Sequence, residues 1–121
     1  MDQISDTAVI AALRRQMTIA VARQVASAGN LANVDTPGFH ALEPTFAEAL
    51  AGEMAEAAGG GPPDLHVRMQ EMELPARRDG NTVQVDRELL SMNRAAGDFS
   101  AAQTALAAKF RLVRYAINEG R

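Results

Sequence analysis

The residues that could do chemistry are few and scattered. The two histidines, His40 and His66, lie far apart on different segments, and a lone loop histidine reads as a surface residue rather than a ligand. The carboxylate pairs Glu53/Glu56 and Glu71/Glu73 fall in polar stretches. Acid–base catalysis needs a carboxyl tuned by its surroundings, and nothing in those stretches would desolvate one. Gly59-Gly60-Gly61 runs into Pro62-Pro63 rather than into the Lys-Ser/Thr of a phosphate-binding loop. No His-Glu-x-x-His or Gly-x-Ser-x-Gly occurs. With no cysteine, disulfides and thiolate metal sites are excluded. The sequence offers no catalytic, cofactor-binding or metal-ligating set. The expectation is a protein that is not an enzyme, takes no cofactor and acts on no small-molecule substrate.

The informative stretch is a turn. Residues 27–41 carry Asn30, Asn33, Asp35 and Thr36, then Pro37, Gly38 and Phe39. Proline pushes the residue before it, Thr36, toward an extended conformation. Pro37 presets φ for the first corner of a type II turn, and Gly38 tolerates the positive φ required at the second. A helix running into this stretch must stop near Asn33. A second turn signal, Asp79-Gly80, opens the run Asp79-Gly80-Asn81-Thr82-Val83.

Two long helices must position these turns. Ser5 or Asp6 can cap the first, over about 5–32. Its apolar or small positions Ile10, Leu13, Met17 and Ala20 continue through Gln24, Ser27 and Leu31 at helical spacing. Asp86 can cap the second, over about 86–118. There Leu89, Met92, Ala96, Phe99, Gln103, Leu106, Phe110, Val113 and Ile117 alternate steps of three and four, the a/d pattern of a coiled coil. Such a helix is a rod of roughly 50 Å. Gly97 inside it costs about 1 kcal/mol against alanine. Between the helices the pattern is weak. Phe39, Leu42, Phe46, Ala49 and Leu50 suggest a short helix over about 44–52, and Gly52 to Pro63 has linker composition. Leu65, Val67 and Met69 alternate, as do Val83 and Val85, suggesting a small hairpin between about 65–69 and 82–85. The expected fold is all-α dominated: long terminal helices in a coiled-coil layer, a loop-rich middle and one small β-hairpin. The expected division is 1–50, 51–81 and 82–121 within a single structural domain.

Composition bounds the core. Of 121 residues 47% are hydrophobic, but 24 are alanine and only 4% are aromatic. Alanine buries little area, so a monomer's core is thin, while its helix propensity is the highest. Small-residue helices with apolar seams and little private core imply that the partner surface lies on other molecules. The net charge is −3, with no dense basic patch of the kind nucleic acid requires. No apolar run reaches transmembrane length. Arg14, Arg15 and Arg23 interrupt the first thirty residues, so no cleavable secretory signal is expected.

The residues of the first turn resemble the N-terminal signature of the bacterial flagellar rod and hook axial proteins: Asn30-Leu31-Ala32-Asn33, then Thr36-Pro37-Gly38-Phe39. Asp79-Gly80-Asn81-x-Val83, followed by the acidic helix start at Asp86 and Glu88, is similar to the motif that marks the proximal rod branch of that family. The resemblance covers about 5–46 and 79–118. Gly29 stands where alanine is common and Phe39 where tyrosine is, and the phenylalanine lacks a hydroxyl that could bond a partner. The resemblance implies a structural subunit of the basal-body rod, which crosses the periplasm and transmits motor torque. It implies export without a cleaved signal by the flagellar type III apparatus. Implied partners are other rod proteins and the basal-body base: adaptor, export gate and inner-membrane ring. The implied assembly interface follows the helix stripes, at Ile10, Leu13, Met17, Leu31, Leu89, Met92, Phe99, Leu106, Phe110, Val113 and Ile117. Two alternatives are a helical adaptor or export chaperone, which would form a soluble oligomer of defined size, and a small enzyme, which would need a pocket with convergent polar groups.

Overall fold

The computed structural model describes residues 5–46 and 67–119. Within them helix α1 spans Asp6–Ala32, strand β1 Leu42–Thr45, strand β2 Arg68–Glu71 and helix α2 Val85–Glu119. The fold is helix-dominated, with one small two-stranded antiparallel sheet. Among the described residues no helix is long and apolar enough to cross a membrane.

Local chemistry sets the helix ends. Ser5 is the cap of α1, its hydroxyl accepting from the Ala8 amide at 3.1 Å, which satisfies a donor with no partner inside the helix. Asp6 follows in the first turn, at the positive end of the dipole. The helix stops where the sequence requires, with Asn33 as C-cap. Helix α2 starts one residue earlier than expected. The Glu88 amide donates to the Gln84 carbonyl at 3.0 Å, so Asp86 lies inside the first turn and is not the cap. With Glu88 it still places negative charge there.

The sheet differs from the expected hairpin in its partner. Strand β2 overlaps the anticipated strand at Arg68 and Met69, but it pairs with β1, Leu42 opposite Glu71 and Thr45 opposite Arg68. Pro44 and Thr45 are therefore extended and Phe46 is not helical, where a short helix over 44–52 was expected to begin; its residues from 47 on, and the 52–63 linker, lie outside the described residues. The 82–85 stretch forms no strand, and Val85 already belongs to α2. The physical reason is competition for backbone groups. The Thr82 amide donates to the Phe39 carbonyl at 3.0 Å and its hydroxyl accepts from the Ala41 amide at 2.8 Å. Those bonds fix it beside residues 39–41 rather than beside β2.

The two helices run antiparallel. Asn30 near the end of α1 bonds Glu88 near the start of α2. Gln16 Nε2 donates to the Asp98 carbonyl at 3.2 Å, and Lys109 pairs with Asp6 at the start of α1. Residues 110–119 thus run past Asp6, an overhang of roughly 15 Å at 1.5 Å per residue. The α1 stripe faces inward as its spacing requires: Ala20 and Ser27 are buried, and Ile10, Leu13, Met17, Gln24 and Leu31 are part-buried. On α2 the inward face is shifted. Its buried positions are Glu88, Ala95 and Ala102, seven apart, interleaved with part-buried Met92, Phe99, Leu106 and Val113. Leu89, Ala96, Gln103, Phe110 and Ile117, the other half of the expected stripe, are exposed. Alanine at 95 and 102 lets the backbones approach where leucine or phenylalanine would hold them apart.

The core is correspondingly thin. Among the described residues its buried apolar side chains are Ala20, Ala26, Ala41, Val83, Ala95 and Ala102. On α1 burial is confined to Ala20 through Asn30, and on α2 it ends at Ala102. Opening free energy follows local burial. Hydrogen exchange on the dilute chain is expected to be slowest in about 26–31 and 88–95 and to quicken along α2 toward 107–119. Uniform protection along both helices would contradict this gradient.

Candidate assembly interface

The site grows from two side-chain amides. Asn30 and Asn81 are the largest fully buried side chains, at 1% and 0% exposure. A buried amide must find partners for two donors and an acceptor, and each of these does. Asn30 Oδ1 accepts from the Leu42 amide at 2.9 Å, while its Nδ2 donates to the Leu42 carbonyl at 2.9 Å and to Glu88 Oε1 at 3.0 Å. The side chain thus stands in for a neighbouring strand along the outer edge of β1. Asn81 Nδ2 donates to the carbonyls of Asn33 and Thr36, at 2.8 and 2.9 Å, and its Oδ1 accepts from the Val83 amide at 2.7 Å.

The Asn81 bonds dock the two turn motifs onto each other. The first has the expected geometry: the Phe39 amide donates to the Thr36 carbonyl at 3.2 Å, and Gly38 has φ +76°, as the third residue of a type II turn needs. Asn33 caps α1 and steadies the turn, its Nδ2 donating to the Gly29 carbonyl and its Oδ1 accepting from the Thr36 hydroxyl. In the second motif the Asn81 amide donates to Asp79 Oδ1 at 3.0 Å. Gly80, at φ +83°, lies so close that a Cβ there would stand 3.3 Å from Gly38 Cα. The Gly38 amide donates to the Asp79 carbonyl at 2.8 Å. Val83 is buried against this clasp. Arg77 ties it from outside, Nη1 donating to the Val83 carbonyl at 2.9 Å and Nη2 to the Val34 carbonyl.

The clasp therefore gathers the motif residues Asn30, Asn33, Thr36, Gly38, Asp79, Gly80, Asn81 and Val83 into one place. Pro37 and Phe39 belong to its turn, exposed and part-buried respectively. The stripe residues divide. Ile10, Leu13, Met17, Leu31, Met92, Phe99, Leu106 and Val113 are part-buried, whereas Leu89, Phe110 and Ile117 are exposed. Beyond these, Leu90, Leu112 and Tyr115 on α2 and Val21 and Val25 on α1 are exposed apolar residues that the seven-residue spacing does not pick out. Glu88, the acidic helix start that follows the second motif, also belongs to this junction through Asn30, and Thr82 and Arg77 complete the clasp without having been singled out. Thr82 sits between two motif positions, which was the available signal. Arg77 gave none.

Beside the clasp an open groove of about 600 Å³ runs between α1, β1 and α2, lined in part by Arg23, Ser27, Glu43, Arg87, Glu88 and Arg94. The Glu88 carboxylate there is already engaged by Asn30. Among the described residues no group of three or more His, Asp or Glu side chains is placed to hold a metal ion. The arrangement presents surfaces for packing: a small-residue seam inside and bulky apolar side chains outside. No protein-family model matches this chain, and no curated protein matches it either.

Replacing Asn81 by Ala leaves the Val83 amide without its partner and removes one of the two bonds at each of the Asn33 and Thr36 carbonyls. Urea denaturation is expected to show a loss of about 2 kcal/mol, since one unpaired buried group costs about 1–3 kcal/mol. Asn81→Asp, which turns a carboxylate oxygen toward two carbonyls, should cost at least as much. Gly80→Ala should cost about 1–2 kcal/mol from its left-handed backbone alone, and more if Gly38 cannot move. A wild-type midpoint in Asn81→Ala would show that the clasp does not hold the fold.

Proposed function

We propose that this chain is a structural subunit of the bacterial flagellar basal-body proximal rod, self-assembling through its terminal helices to transmit motor torque. The observation that carries this reading is the division of α2. One face of the helix closes on α1 through Ala95 and Ala102, while Leu89, Phe110 and Ile117 on an adjacent face remain exposed. Exposed apolar side chains along a helix mark an interaction surface, and a seven-residue repeat suits a neighbouring helix. Coiled-coil packing therefore belongs to the assembled rod, where neighbours cover what α1 does not. The clasp gives the family-like motifs a mechanical task, fixing where the two terminal helices join. A torque-bearing subunit needs such a joint and no catalytic group. In this reading the chain leaves the cytoplasm through the flagellar type III apparatus. It then meets other rod proteins and the base of the basal body: adaptor, export gate and inner-membrane ring.

The test is in cells that carry the chain as their only copy. Phe110→Asp puts an unpaired charge where a neighbour's apolar surface would lie, which burial makes costly. Swimming is expected to fall to the level of a non-motile strain, with basal bodies lacking rods while the chain is still made. Phe110 is half exposed, at 50%, so the isolated variant should keep its helicity by circular dichroism. Normal swimming would overturn the proposal.

A further inference from the structure

The exposed apolar residues and the charges are not spread evenly along the helix pair. At the clasp end, residues 33–46 and 67–90 hold seven carboxylates against four arginines. Asp35, Glu71, Glu73, Asp79 and Asp86 among them are exposed. That end also exposes Met69, Val85, Leu89 and Leu90. At the far end, residues 5–16 and 106–119 hold five cations against two carboxylates, including exposed Arg14, Arg111 and Arg114. That end exposes Phe110, Leu112, Tyr115 and Ile117. Leu112 and Tyr115 lie nearly opposite Phe110 and Ile117 around the helix at 100° per residue. The overhang past Asp6 is therefore apolar on two sides.

We infer that two copies of this chain associate head to tail, the basic, apolar overhang of one seating on the acidic, apolar clasp end of the next. The inference rests on the rod-subunit reading and adds the partner surfaces and their symmetry. Overhang against overhang would bring like charges together, as would clasp against clasp, and like-charge juxtaposition disfavours an interface. The complementary pairing joins two different patches. A contact of that kind leaves a free patch at each end and propagates as an open chain, whereas a contact between identical patches closes at a dimer. The apolar side chains supply the attraction, and the opposed charges select the orientation and make it sensitive to salt.

Sedimentation velocity on the full chain at low salt tests this. The wild type is expected to form species of increasing size as concentration rises, with no preferred stoichiometry, and to dissociate as salt is added. Two doubly substituted chains block one end each: Leu112→Gln with Tyr115→Gln, and Leu89→Gln with Leu90→Gln. All four sites are exposed and glutamine is a good helix former, so helicity by circular dichroism should be unchanged. Each variant alone should self-associate at least tenfold more weakly than wild type. Mixed, they each retain one good end, so they should form a heterodimer and nothing larger. Reversal of charge in Arg111→Glu with Arg114→Glu should weaken wild-type association and flatten its salt dependence. Strong dimerisation of either blocked variant alone would show a contact between identical patches and overturn the inference. A chain monomeric at every concentration would overturn it too, while leaving the rod reading to its motility test. One oligomer of fixed size would count against both and favour an adaptor.

Discussion

Two buried asparagine amides set the geometry on which the rest of the structure depends. Asn30 and Asn81 are fully buried, where apolar side chains are the usual occupants. An apolar side chain attracts any apolar neighbour, whereas an amide is satisfied only by particular donors and acceptors in particular directions. Asn30 selects the backbone of Leu42 and the carboxylate of Glu88. Asn81 selects the carbonyls that close α1 and its turn. Between them they join three segments that are distant in sequence: the end of α1, the start of β1 and the start of α2. The antiparallel course of the helices follows from that junction, since α1 enters it and α2 leaves it.

Specificity at the junction offsets a weak seam. With alanine and serine at the buried positions, the helix pair gains close approach but little apolar area. The Lys109–Asp6 pair at the far end joins a part-buried lysine to an exposed carboxylate, and pairs open to solvent contribute little. The molecule is thus firm at one end and lightly held at the other. Bulky side chains that a self-sufficient domain would turn inward, such as Leu112 and Tyr115, remain outside. A chain built this way keeps bulky apolar side chains on the outer faces of both helices.

Parts of this were legible in the sequence for simple reasons. The cap at Ser5, the stop at Asn33 and the type II turn at Pro37-Gly38 follow from local sterics and hydrogen bonding, which act within a few residues. The α1 stripe was legible because helical spacing alone fixes which residues share a face. On α2 the same logic gave the period but not the phase. Two adjacent rows repeat every seven residues, Glu88, Ala95 and Ala102 in one and Leu89, Ala96, Gln103, Phe110 and Ile117 in the other. Hydrophobicity favours the second, which holds the larger apolar side chains, and close packing at Ala95 and Ala102 buried the first.

The sequence by itself determined two long helices, the places where one must end and a turn must form, and a scarcity of core-forming side chains. Those features depend on neighbours along the chain. Only the tertiary structure decided that the two turn motifs face each other, that β2 pairs with β1 rather than with 82–85, and that the helices run antiparallel. Each of these is settled by which distant backbone group a buried amide or hydroxyl satisfies. Thr82 could have extended a strand. Its bonds to Phe39 and Ala41 placed it in the clasp instead, because buried donors and acceptors must all be paired at once, and that is a property of the folded chain as a whole.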